Sequence, residues 1–114
     1  MRNAINDKPV VRYTDEVLNY FNQLTETLFH QNYFGFMDSA IQYVVDLRAY
    51  IDNNIAHLPK HPAPQYFSKY EKYMQYVTYK PNKRTTWYLF FLQEENVYLI
   101  CYITNNHFEG QYIC

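Results

Sequence analysis

Glycine is nearly missing from this chain, with only Gly35 and Gly110 in 114 residues. Phosphate-cradling loops need glycines in close order so that backbone N–H groups can approach the ligand, and nucleotide-binding loops of that kind are excluded. Cysteine is equally scarce. Cys101 lies in an apolar run and Cys114 is the last residue, which predicts free thiols rather than a disulfide framework, and no zinc spacing. Apolar runs such as Trp87 to Leu92 fall far short of the ~20 residues a membrane helix needs. Met1 to Val11 also lacks the apolar core of a signal peptide, so the expectation is a cytoplasmic protein with no membrane association. HExxH, GxSxG and CxxC are absent too, and no metal and no cofactor is expected.

What is present is aromatic and apolar. Aromatic residues make up 20% and apolar residues 48% of the chain, enough for a real core and too much for disorder. The length fits one domain over residues 1–114. A net charge of −1 hides an asymmetry: Lys60, Lys69, Lys72, Lys80, Lys83 and Arg84 face one acid, Glu71, across the span from 60 to 84, a local +5, while the remainder nets −6. Most such clusters are solvated faces. Segregation on this scale can nevertheless present a positive patch to a polyanion.

Lys8 to Tyr13 is short and β-branched, and Thr14-Asp15-Glu16 follows at once. Thr14 is a good N-cap and the acids complement a helix dipole, so a strand should pass directly into a helix. Val17, Phe21, Leu24 and Leu28 then recur at helical spacing up to about His30. A second helical pattern runs from about Tyr33 to Ile55, with Ala40, Val44, Leu47, Ile51 and Ile55 on its apolar stripe, and the two should form an antiparallel hairpin. Prolines at 59, 62 and 64 make 56–66 a connecting loop. His57 and His61 stand four apart there, but Pro59 between them breaks the helix a metal pair would need.

Residues 67–74 fit helix or strand equally. Gln75 to Tyr79, Thr85 to Leu92 and Val97 to Ile103 read as three consecutive antiparallel strands. The expected architecture is an α+β domain: an N-terminal strand, then an antiparallel helical hairpin packed on a three- to four-stranded antiparallel sheet.

In such a meander, the turn after Tyr79 and the end of the strand at Ile103 share one edge. That brings Lys80, Lys83 and Arg84 near Thr104, Asn105, Asn106 and His107, with Tyr79 beside them. Cations, amides, a histidine and tyrosines are the groups phosphodiester recognition uses. In metal-free RNA cleavage the ribose 2′-OH attacks the adjacent phosphorus, cations stabilise the charge on the phosphoryl oxygens, and a histidine exchanges a proton near neutral pH. Arg84 and His107 are therefore the candidate catalytic pair, Arg84 because its planar fork can clamp two oxygens. Lys80, Lys83, Tyr79, Asn105 and Asn106 are the candidate substrate contacts. A lone histidine at a strand end more often caps by hydrogen bonding, and tyrosines at strand spacing more often pack.

The stretch KRTTWYLFFLQEENVYLICYITNNHF, with YMQYVTYKP before it and VVRYTDEVLNYFNQL near the start, resembles RelE/ParE-type toxins of bacterial type II toxin–antitoxin systems. The resemblance spans roughly Val10 to Phe108 and implies the same element order. It implies a toxin neutralised by a cognate antitoxin protein. Some members cut mRNA on the ribosome as metal-independent endoribonucleases, and others inhibit DNA gyrase without cutting anything. By that resemblance Arg84 matches a strand arginine, Lys80 and Lys83 match further cations, and His107-Phe108 resembles a C-terminal His-Tyr pair with phenylalanine in place of tyrosine. Ribosome-dependent mRNA cleavage is the leading expectation. A gyrase inhibitor and a non-toxic binding module on the same fold are the alternatives, and the sequence leaves the oligomeric state open.

Overall fold

The computed structural model describes residues 8–30 and 37–113. Strand β1 (Val10–Tyr13) leads through Thr14 into helix α1 (Asp15–His30). The Thr14 hydroxyl accepts the Val17 backbone N–H at 3.3 Å, which satisfies one of the donors a helix start leaves open. Helix α2 (Met37–Asn54) follows. The expected start of the second helical pattern, Tyr33 to Phe36 with Gly35, lies outside the described residues.

Both helices bury the stripes their spacing predicts. Val17, Phe21 and Leu24 of α1 meet Val44, Leu47 and Ile51 of α2, and with Ile55 they pack on Val77, Trp87, Leu89, Phe91, Ile100 and Ile103 of the sheet. Outside the stripe, Ile41 and Val45 are exposed. Arg48 turns inward instead of facing water, its guanidinium 4.7 Å from the Tyr13 ring centre and 5.4 Å from that of Phe21, where a planar cation gains from the ring faces.

The sheet has five strands in the order β1-β5-β4-β3-β2, where β2 is His61–Pro62, β3 is Gln75–Tyr79, β4 is Trp87–Glu94 and β5 is Val97–Asn105. The α+β class and the β3-β4-β5 meander agree with the sequence reading. The sheet itself differs, being mixed and wider than expected. Strand β1 pairs parallel with β5, Val10 opposite Val97 through Tyr13 opposite Ile100. It must feed α1 onto one face, and the free edge of β5 is where it can do so. Two residues of the proline-rich connection also pair with β3, His61 opposite Tyr76 and Pro62 opposite Gln75. Proline is tolerated there because the strand is at the edge.

Residues 67–74 resolve into neither long element: a 3₁₀ turn, Gln65–Lys69, seats Phe67 under the sheet face away from the helices. That face forms a second, smaller core of Phe67, Met74 and Phe90. Strand β4 alternates between the two cores, Trp87, Leu89 and Phe91 toward the helices and Phe90 away. A bulge keeps β5 in step: Phe90 lies opposite Tyr102 but Phe91 lies opposite Ile100, leaving Cys101 unpaired. The extra residue lets Ile100 and Ile103, three apart, both face the helices.

Candidate functional site

The topology does bring the basic turn to the end of β5. The connection from Lys80 to Thr86 is built on Asn82, whose Oδ1 accepts the backbone N–H of Arg84 at 2.8 Å and of Thr85 at 3.0 Å. This Asx-type turn needs no glycine. Asn106 then straps the connection to β5. Its Oδ1 accepts the Thr86 N–H at 2.8 Å, its Nδ2 donates to the Arg84 carbonyl at 3.1 Å, and its own N–H donates to the Thr86 carbonyl at 3.1 Å. His107 sits on the strap, with Nε2 at 3.2 Å from the Thr85 hydroxyl. Arg84, Thr85 and His107 are thus brought together by the Asn82 and Asn106 side chains bonding to the backbone of the connection, with one backbone bond and the Thr85–His107 contact beside them.

The cations of the +5 span divide by what engages them. Lys60 donates to the carbonyls of Ile55 and Leu58 at 2.8 and 3.0 Å, closing the end of α2 in the manner of a C-terminal cap. The Lys69 ammonium lies 3.8 Å from the Tyr66 ring centre and 5.3 Å from that of Tyr70. Lys80, Lys83 and Arg84 are exposed, and among the described residues no acid pairs with them. Lys72 is exposed as well but precedes β3, at the far end of that strand from Lys80, so the cations at the His107 edge are Lys80, Lys83 and Arg84.

The other named residues take different places. Tyr79 stacks on Tyr50 of α2, ring centres 4.1 Å apart, and burial raises its hydroxyl pKa. It is packing between helix and sheet. Both ends of the Asn106 amide are engaged in the strap. Asn105 is 7% exposed, and its Oδ1 accepts the His107 N–H at 2.8 Å.

A cleft of about 440 Å³ opens beside this edge. Its helical wall is Tyr20, Gln23, Leu24, Thr27 and Leu28 of α1 with Tyr43 of α2; its sheet wall is Trp87, Asn105, His107, Phe108, Asn82 and Thr85. Trp87 donates its indole N–H to the Tyr43 hydroxyl at 2.9 Å. Burial, with Tyr43 nearby, pushes the Tyr20 hydroxyl up to about 12, so this wall stays neutral. Lys80, Lys83 and Arg84 lie outside its lining. The site is thus an apolar cleft with polar groups at its mouth, rimmed by cations.

Neither a family model, nor a curated protein, nor a solved structure matches the chain.

Glu109 is a contributor that sequence reading missed. Its carboxylate accepts from the hydroxyls of Tyr66 at 3.0 Å, Tyr70 at 3.3 Å and Tyr102. Burial raises its pKa, but the combined donation from Tyr102, Tyr66, Thr104 and Tyr70 outweighs that and holds the carboxyl below its usual range. The node pins the chain two residues beyond His107 to the sheet. Its tyrosines come from positions 66, 70 and 102, so no local pattern announces it. Among the described residues no cluster of His, Cys, Asp and Glu could hold a metal ion, and no helix is long and apolar enough to cross a membrane.

Proposed function

We propose that this protein is a toxin of the RelE/ParE type that cleaves RNA at the edge formed by the Lys80–Thr86 connection and His107. One observation carries the reading. Lys80, Lys83 and Arg84 lie on the connection that the Asn106 strap ties to the end of β5, and His107 stands beside it with Nε2 at 3.2 Å from the Thr85 hydroxyl. In an acidic protein, core packing gives no reason for cations to gather there.

The chemistry follows from the groups. The Thr85 hydroxyl engages Nε2 and leaves Nδ1 of His107 to exchange a proton with the reacting oxygens. The Arg84 guanidinium clamps the scissile phosphate and offsets the charge that builds on its oxygens. Lys80 and Lys83 hold the flanking phosphates, which makes binding salt-dependent. A cognate antitoxin covers the patch.

Induced expression without a partner is expected to arrest bacterial growth. Arg84→Ala should relieve the arrest by lowering turnover about 10²-fold, at equal protein level on a blot. Normal growth with abundant intact wild-type protein contradicts the reading. Phe108, 72% exposed and without a hydroxyl, favours a second reading as a binding module. In that case Arg84→Ala changes nothing and no RNA is cut.

A further inference from the structure

The cleft beside His107 has an attribute that phosphate chemistry does not use. Asn105 is more than nine-tenths buried and lines it, and its Oδ1 is already committed to the His107 N–H. Its Nδ2 has no partner among the described residues, yet none of their buried side-chain polar atoms is left without one. The amide N–H groups therefore open onto the cleft. Gln23 and Thr27, exposed on α1, bring further hydrogen-bonding groups to the opposite wall. Between these polar edges the walls are Tyr20, Tyr43, Trp87 and Phe108 together with the aliphatic Leu24 and Leu28.

We propose that this cleft is a nucleobase-binding site and that Asn105 is its specificity-determining residue. The amide donates from Nδ2 to an acceptor atom on the base edge while the ring lies among the aromatic side chains. The volume of about 440 Å³ falls within the range of small-ligand sites, roughly 300–1,000 Å³. An aliphatic side chain from a protein partner would fill the apolar part but leave the Asn105 donor without an acceptor, a costly outcome for a desolvated amide. A base satisfies both. The inference deepens the proposed function, in which the base belongs to the strand whose phosphodiester lies at His107, but its test does not need cleavage.

Trp87 is the only tryptophan and lines the cleft, so its fluorescence reports occupancy. Adenosine, guanosine, cytidine and uridine, as uncharged probes, would be titrated into the intact protein up to about 10 mM, a range that detects millimolar affinity. At least one should give a saturable change. Asn105→Asp keeps the acceptor for the His107 N–H and removes the donor, and should weaken that binding at least tenfold. Wild-type NMR keeps the test decisive if the variant does not fold: the Asn105 side-chain amide resonances should shift on addition of the nucleoside.

No saturable change with any nucleoside overturns the proposal. So does binding that leaves the Asn105 amide unmoved, or an equal response to N-acetyl-leucinamide, which would mark the cleft as a seat for a protein side chain. RNA cutting without nucleoside binding removes this inference alone. Nucleoside binding by a protein that leaves RNA intact supports the cleft and removes the cleavage reading.

Discussion

Glu109 illustrates how one residue can set the geometry around His107 without belonging to the chemistry. Three tyrosine hydroxyls converge on its carboxylate, and their donation stabilises the ionised form. Its folded-state pKa is depressed, so its contribution to stability is present above the unfolded carboxyl value of about 4.3 and is lost as pH falls through the lower folded value. Glu109→Gln should lower stability by about 1 kcal/mol at neutral pH, a modest figure because the node is partly solvated. Urea midpoints measured against pH should show the wild-type advantage shrinking below about pH 4. A difference that stays constant into acid would mean the carboxylate charge is not what holds the node. At this scale the sequence was uneven. Arg84 and His107 could be brought together from topology, because turn and strand end share an edge in any meander. The roles of Asn105 and Asn106 could not be separated, because two adjacent asparagines at a strand end alternate in direction and only coordinates tell which is buried.

Elements were legible where the pattern is periodic and local. Helix α1 was readable because Thr14, Asp15 and Glu16 mark its start and an apolar stripe runs along it. The parallel pairing of β1 was not, since four residues of strand carry no information about which edge they join. Nor was the bulge at Cys101, which is a matter of register between strands. The β4–β5 hairpin offers a test at this scale. Glu95 sits in its two-residue connection with φ 55°, a left-handed conformation that tight hairpins require and that costs an ordinary residue roughly 1–2 kcal/mol. Glycine removes that strain while loosening the unfolded chain by about 0.4–1 kcal/mol. Glu95→Gly should therefore stabilise the protein by about 0.5–1 kcal/mol, read as a higher urea midpoint at unchanged slope. A lower midpoint would mean the Glu95 side chain contributes more than its backbone strain takes away.

For the whole molecule, the sheet separates two cores and the charge is divided as well. Lys60 and Lys69 turn out to serve a helix end and two tyrosine rings, so the +5 span is less of a patch than its count suggests. Of the remaining four, Lys72 precedes β3 and the other three, Lys80, Lys83 and Arg84, stand at one edge beside the histidine and the cleft. The central claim is that this edge cuts RNA, and mapping the 5′ ends of cellular mRNA after induced expression tests it most directly. New ends inside coding regions should appear within minutes of induction, and should vanish with His107→Ala and Arg84→Ala at equal protein level. Growth arrest with every transcript intact, and DNA supercoiling blocked instead, would contradict the account.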